Sequence, residues 1–187
     1  MIRPLDLEEI KKLYNERIVN DFPKSEVKPL KKIIAGWENE VYSAYGFYDE
    51  DGEELKGYSF FIRCSSDNTV LLDYFAIMPQ LRSKGVGTAF LTEIKELASK
   101  KEKVLILEVE NPKYEEDGPN RDYMVKRITF YKKNGINVSG VECRFYENEY
   151  IILYAGEPME DDEVRERTEK VYVDFFGEKI KEKCEFH

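Results

Sequence analysis

Apolar residues along this chain change their spacing at intervals, from every second position to every third or fourth and back again. Residues 2–5, bounded by Ile2 and Leu5, predict a short first strand. Asp6 follows as an N-cap, and Glu9 three residues later completes a capping box for a helix reaching about Val19. Asp21-Phe22-Pro23 breaks that helix. A second helical spacing starts at Pro29 and carries Leu30, Ile33, Ile34 and Trp37. Residues 41–48 read as a strand, 49–53 as a turn, and 55–63 as the returning hairpin partner. A second polar turn at 65–68 leads into a strand over 70–78, giving a three-strand antiparallel meander.

The next helix begins at about Gly85, with Val86, Phe90, Leu91, Ile94, Leu97 and Ala98 as the stripe of a helix packed on a sheet. Residues 104–109 are almost all apolar, as expected of a central strand. Residues 111–120 hold acids between Asn-Pro and Gly-Pro breakers and predict an acidic loop, solvated in preference to an ordered lid that selects a cation. A helix then runs to about Lys133 and stops before Gly135. Strands over 138–146 and 150–155 follow, with Glu147-Asn148-Glu149 turning between them. Beyond Gly156, acids at 161–163 start a last helix with the stripe Val164, Thr168, Val171, Tyr172, Phe175 and Ile180. Lys179, Lys181 and Lys183 suit the negative end of its dipole. The resulting order is β-α-α-β-β-β-α-β-α-β-β, an α/β (α+β) class of fold. At 187 residues the chain fits one domain, with 1–155 as its body and 156–187 as a helical extension of it.

Charge and cysteines narrow the function. The balance is 29 basic against 38 acidic residues, a net charge of −9, which argues against a nucleic-acid binder and favours a cationic partner. Cys64, Cys143 and Cys184 are odd in number and widely spaced, which points to free thiols and a reducing cytoplasm. No apolar run approaches the roughly 18 residues of a membrane span. The single histidine is His187, so histidine-based triads, histidine general bases and zinc sites built on histidine pairs lack their key residue, and no metal is expected. Proton chemistry would then fall to carboxylates, tyrosines, lysines, cysteines or water.

The segment LLDYFAIMPQLRSKGVGTAFLTEIKEL, residues 71–97, is the most informative. An apolar strand stops at Pro79, a basic glycine-bearing turn follows, and an amphipathic helix starts at once. That junction builds an anion cradle, because consecutive N–H groups and the helix dipole converge where glycine permits close approach. Arg82-x-x-Gly85-x-Gly87 is neither a Walker loop nor a dinucleotide fingerprint. It resembles the R/Q-x-x-G-x-G/A pyrophosphate loop of the GNAT superfamily of acyl-CoA N-acyltransferases. A second stretch, Ile128-Thr129-Phe130-Tyr131-Lys132-Lys133-Asn134-Gly135-Ile136, resembles that family's A-I-x-F-Y-x-x-x-G-F helix end, with Arg127 where a small residue is common.

The resemblance implies the GNAT fold: a mixed, mostly antiparallel sheet splayed between its fourth and fifth strands and flanked by helices, here with an added C-terminal helix. It implies acetyl-CoA as cosubstrate, with main-chain groups of Phe75, Ala76 and Ile77 along the pantetheine. The phosphates would lie on Ser83, Lys84, Gly85, Val86, Gly87 and Thr88, with Arg82 and Lys84 adding charge. Tyr131 matches the tyrosine that protonates the departing thiolate. Glu108, in Leu107-Glu108-Val109, matches the base of relatives that acetylate ribosomal-protein N-termini. Asp73 and Glu110 compete with it for that role. Two departures stand out: Met124 replaces an asparagine seven residues before the tyrosine, and the 111–120 connection is longer and more acidic than usual.

The activity so implied is direct transfer of an acetyl group to a primary amine of a small cationic molecule or a peptide N-terminus. No nucleic-acid or membrane partner is expected, and the chain is a monomer or a homodimer. A fold that holds acyl-CoA without turnover is the competing class.

Overall fold

The computed structural model describes residues 1–101 and 103–187. By internal contacts the chain divides into two compact units: residues 1–63 with 73–94, and residues 64–72 with 95–187. The strand order is β1-β2-β3-β4-β5-β7-β6-β8, and β4 contributes residues to both units.

In the first unit, β1 (Ile2–Pro4) pairs antiparallel with β2 (Tyr42–Tyr48), and β2 pairs antiparallel with β3 (Leu55–Arg63). The capping box forms as the sequence predicts. Glu9 N–H donates to Asp6 Oδ1 at 2.9 Å, and Asp6 N–H donates to Glu9 Oε2 at 3.0 Å. Helix α1 runs over Leu7–Leu13 and then widens into a π turn, Tyr14–Ile18, before a last turn at Val19–Asp21. It therefore ends two residues later than expected, directly before Phe22-Pro23. Helix α2 spans Leu30–Glu38 and buries Ile33 and Gly36. Aromatic rings fill the core of this unit: Phe47 stacks on Phe90 at 4.8 Å, and Phe60 lies between Tyr42 and Tyr74 at 5.9 Å from each.

Strand β4 spans Thr69–Ile77. In the second unit its first residues run parallel to β5 (Val104–Glu110), from Thr69 opposite Val104 to Leu72 opposite Leu107. Strand β7 (Asn148–Ala155) pairs antiparallel with β5 and with β6 (Asn137–Phe145). Leu105, Ile106, Leu107 and Val109 are all buried, as a central strand requires. Helix α3 (Val86–Lys100) precedes β5. Helix α4 (Pro119–Lys133) packs on β5 and β6, and Gly135 just beyond it has φ +72°, the left-handed position expected there.

Three expectations change. The β6–β7 turn is Tyr146-Glu147, with Tyr146 at φ +55°, because Asn148 already pairs with Phe145 and Glu149 with Arg144. The last helix, α5, spans Asp161–Phe176 and stops at Gly177 (φ +85°). Lys179 and Lys181 therefore sit in a following 3-10 turn, Glu178–Glu182, and Lys183 lies beyond it, so none caps the helix. Finally, Cys184–Phe186 forms an eighth strand, β8, paired antiparallel with β6. Three residues are too few to show a period. Val164, Thr168, Val171 and Tyr172 of α5 are buried within this chain. The helix is tied down by Asp174, which accepts from Ser65 N–H at 2.7 Å, and by Arg167, which donates to Asp67 at 2.8 Å. Among the described residues no helix is long and apolar enough to cross a membrane.

Candidate active site

The glycine turn lies in the first unit. Strand β4 ends at Ile77, and Met78 N–H donates to Lys56 O at 3.0 Å. Pro79–Leu81 makes one 3-10 turn, and the Arg82 guanidinium folds back so that Nε donates to Ile77 O at 3.2 Å. Residues 82–85 are exposed, with Ser83 at φ +61° and Gly85 at φ +81°. A Cβ on Gly85 would meet nothing within 4 Å, so the backbone angle, rather than crowding, selects glycine, and the space before the turn is open. Ala89 N–H makes the first bond back to Gly85 O, at 3.1 Å. The N–H groups of residues 85–88 thus have no carbonyl of the helix to bond, which is the arrangement that binds anions. Phe90, Leu91 and Ile94 anchor the helix behind them. A pyrophosphate fits this set: consecutive N–H groups, a helix N-terminus, and the exposed cations Arg82 and Lys84.

Ahead of the turn, Ala76 is buried, while Phe75 and Ile77 are half-buried. The Phe75 ring packs on Phe90 at 5.2 Å. Their side chains are core, so a ligand along this strand would meet main chain. Asp73 is deeper still, its side chain only 3 % exposed. Lys28 Nζ sits 2.5 Å from its Oδ1, and the Tyr42 hydroxyl donates to its Oδ2. Lys28 N–H donates to Tyr74 Oη at 2.8 Å, and that hydroxyl donates to Glu26 O at 2.8 Å. Burial, and then the Asp73 charge, push the Tyr42 and Tyr74 hydroxyls well above the ordinary phenol range.

In the second unit, Glu108 stands on β5 opposite Ile152 of β7. The Tyr172 hydroxyl of α5 donates to its carboxylate, and the Cys143 sulfur of β6 lies 3.7 Å from the same hydroxyl. Hydrogen bonding to Cys184 and then burial raise the Cys143 thiol far above its ordinary range, so it keeps its proton. Glu110 is paired with Arg127 at 2.8 Å, and among the described residues Arg127 Nε is buried without a hydrogen-bond partner. Tyr131, on α4, is 7 % exposed and packs edge-on against Phe130 at 5.3 Å. Burial pushes its hydroxyl up to about 12, with Arg127 pulling the other way. Met124 is buried.

The 111–120 connection is less open than a solvated loop. Asn111 caps a 3-10 turn, Pro112–Tyr114, by accepting from Lys113 N–H at 3.1 Å. Lys113 and Tyr114 both reach Glu142 of β6, at 2.9 and 2.7 Å, and helix α4 begins at Pro119. No local pattern announces the groups that hold the carboxylates. Lys28 and Tyr42 are 45 and 31 residues from Asp73, and Tyr172 is 64 residues from Glu108. Tyr172 was legible only as one more apolar position of a helical stripe.

A β-strand that runs into a glycine turn and a helix N-terminus, within a mostly antiparallel sheet flanked by helices, is the frame of an acyltransferase fold. Residues 7–115 match the model of the Acetyltransferase (GNAT) family, more than half of the chain, and the protein belongs to that family. Among curated proteins, none matches it. Solved structures with the same fold include a GNAT-family chain from Bacteroides thetaiotaomicron, 20% identical with a TM-score of 0.71 over 95% of this chain and 98% of that one. The ribosomal-protein-S18-alanine N-acetyltransferase from Escherichia coli is 18% identical, with a TM-score of 0.60 over 86% and 97%. A GNAT acetyltransferase from Elizabethkingia anophelis with acetyl-CoA bound is 13% identical, with a TM-score of 0.60 over 84% and 97%.

Proposed function

We propose that the protein is an N-acetyltransferase that moves an acetyl group from acetyl-CoA to a primary amine of a small molecule or peptide by direct transfer. The observation that carries this is the exposed turn at 82–88, with its open space before Gly85 and its helix N-terminus. It is a ready site for a pyrophosphate on a chain whose net charge is −9. The acetyl-CoA seen in the Elizabethkingia relative and the amine acetylation in the name of the Escherichia coli one agree with the reading.

The roles follow from the chemistry of the side chains. A protonated amine must first lose a proton, and Glu108 takes it, directly or through one water. The amine nitrogen then attacks the thioester carbonyl carbon, and backbone N–H groups on β4 stabilise the oxygen as it gains charge. As the C–N bond forms, the C–S bond breaks and Tyr131 supplies a proton to the leaving sulfur, while the proton that the nitrogen sheds on becoming an amide passes through water to return Tyr131 to its neutral form. A phenol raised to about 12 still carries that proton at neutral pH. Cys143 is passed over as a nucleophile, since it is buried and holds its proton.

The test is a panel of polyamines, aminoglycosides, amino acids and peptide N-termini incubated with acetyl-CoA, reading free thiol. Amine-dependent thiol release with a matching acetylated product supports the reading. Tight acetyl-CoA binding with no thiol release from any amine would favour a carrier that holds acyl-CoA without turnover.

A further inference from the structure

We infer that Tyr172, on the C-terminal helix, is a positioning residue that orients the Glu108 carboxylate for proton transfer. The inference rests on the proposed role of Glu108 as base. An ionised carboxylate only accepts hydrogen bonds, so the hydroxyl that meets Glu108 Oε1 must be the donor. A phenol has one proton to give, and it is spent there. The Cys143 sulfur lies 3.7 Å from the same oxygen. The direction of the bond to the carboxylate is fixed: Tyr172 to Glu108. All three residues belong to the same compact unit.

The ring has little freedom to leave this position. Tyr172 is 2 % exposed, and Phe145 of β6, Phe176 of α5 and Phe186 of β8 stand 5.2, 6.4 and 6.1 Å from it. Three elements thus lock the donor, and the donor fixes the position of one carboxylate oxygen of Glu108. All three elements lie beyond the 7–115 stretch that matches the family, and α5 and β8 belong to the C-terminal extension. The extension is then part of the proton-transfer apparatus as well as a cover for the sheet.

The experiment is a double-mutant cycle in the full chain with an acceptor amine found by the thiol screen. Wild type, Tyr172→Phe, Glu108→Gln and the double variant are compared in kcat and in KM for acetyl-CoA. Tyr172→Phe should lower kcat by about tenfold with KM for acetyl-CoA unchanged, and should cost nothing further in the Glu108→Gln background. Independent, multiplying losses in the double variant would overturn the inference, as would an unchanged kcat in Tyr172→Phe. An unchanged kcat in Glu108→Gln would instead sink the assignment of Glu108 as base, and this inference with it. If Tyr172→Phe does not fold, 3-fluorotyrosine at position 172 keeps the ring and strengthens the donor. In that case kcat must change while KM for acetyl-CoA does not, and an unaltered kcat overturns the inference.

Discussion

The turn at 82–88 and the Glu108–Tyr172–Cys143 cluster are two ways of building a polar site. The turn is contiguous, exposed and made largely of backbone, with Gly85 at φ +81° and nothing within 4 Å of where its Cβ would be. The cluster is assembled from β5, α5 and β6, on side chains whose orientation depends on aromatic packing. A backbone site tolerates side-chain change where the φ/ψ angles allow it and fails when a charge or a Cβ intrudes. A side-chain site tolerates neither lost atoms nor a shifted neighbour, yet its fold can survive an isosteric swap. The Lys28–Asp73 pair is of the second kind, with the ionic partners 17 % and 3 % exposed.

The sharpest test of that contrast is Gly85→Glu. It places a carboxylate before the cradle and forces a side chain into the left-handed region, so acetyl-CoA affinity should fall by about a hundredfold or more in calorimetry. Wild-type affinity in that variant would mean the cradle is elsewhere. Tyr131→Phe, an isosteric change at a side-chain site, should lower kcat by roughly thirtyfold while acetyl-CoA affinity stays the same. Loss of affinity in place of kcat would make Tyr131 a packing residue only.

Lys28→Met leaves the buried Asp73 carboxylate with Tyr42 but without its cation, and should cost about 2 kcal/mol in urea unfolding. A loss under about 0.5 kcal/mol would show the pair to be solvated and weak. If Asp73→Asn, and not Glu108→Gln, slows the reaction below the pH at which the acceptor amine deprotonates unaided, the base belongs to β4.

The smallest effect is on alkaline stability. Tyr131 ionises near 10.0 in an open chain and at about 12 when folded. Above pH 10 the unfolded chain releases this proton first, so the stability held below 10 is lost as pH rises toward 12. Between pH 10 and 11 the loss should be about 1 kcal/mol, and Tyr131→Phe should flatten that part of the curve by the same amount. An identical alkaline slope in the variant would mean the hydroxyl reaches solvent.

The difference between the two sites also explains what could be read from the chain. The capping box of Asp6 and Glu9, the hairpin strand Leu55–Arg63 and the left-handed Gly135 are set within a few residues, and each is found where expected. The glycine turn is legible for the same reason, since strand end, turn and helix start lie in one short segment. The lysines at 179–183 suit a helix terminus, yet α5 ends earlier because Gly177 stops the helix before them. Strand β8 is defined only by its pairing with β6.

The sequence by itself determined the family and most of the order of elements, and it pointed to the glycine turn as the expected anion cradle, because periodicity, capping and glycine conformation are local properties. Tertiary structure alone decided which carboxylates are held and by what. It put Lys28 and Tyr42 on Asp73 and Tyr172 on Glu108, contacts between residues 31 to 64 positions apart. No spacing rule reaches that far, since such pairs are chosen by how the sheet and helices pack, and the side chain that meets a buried charge is settled only when they do.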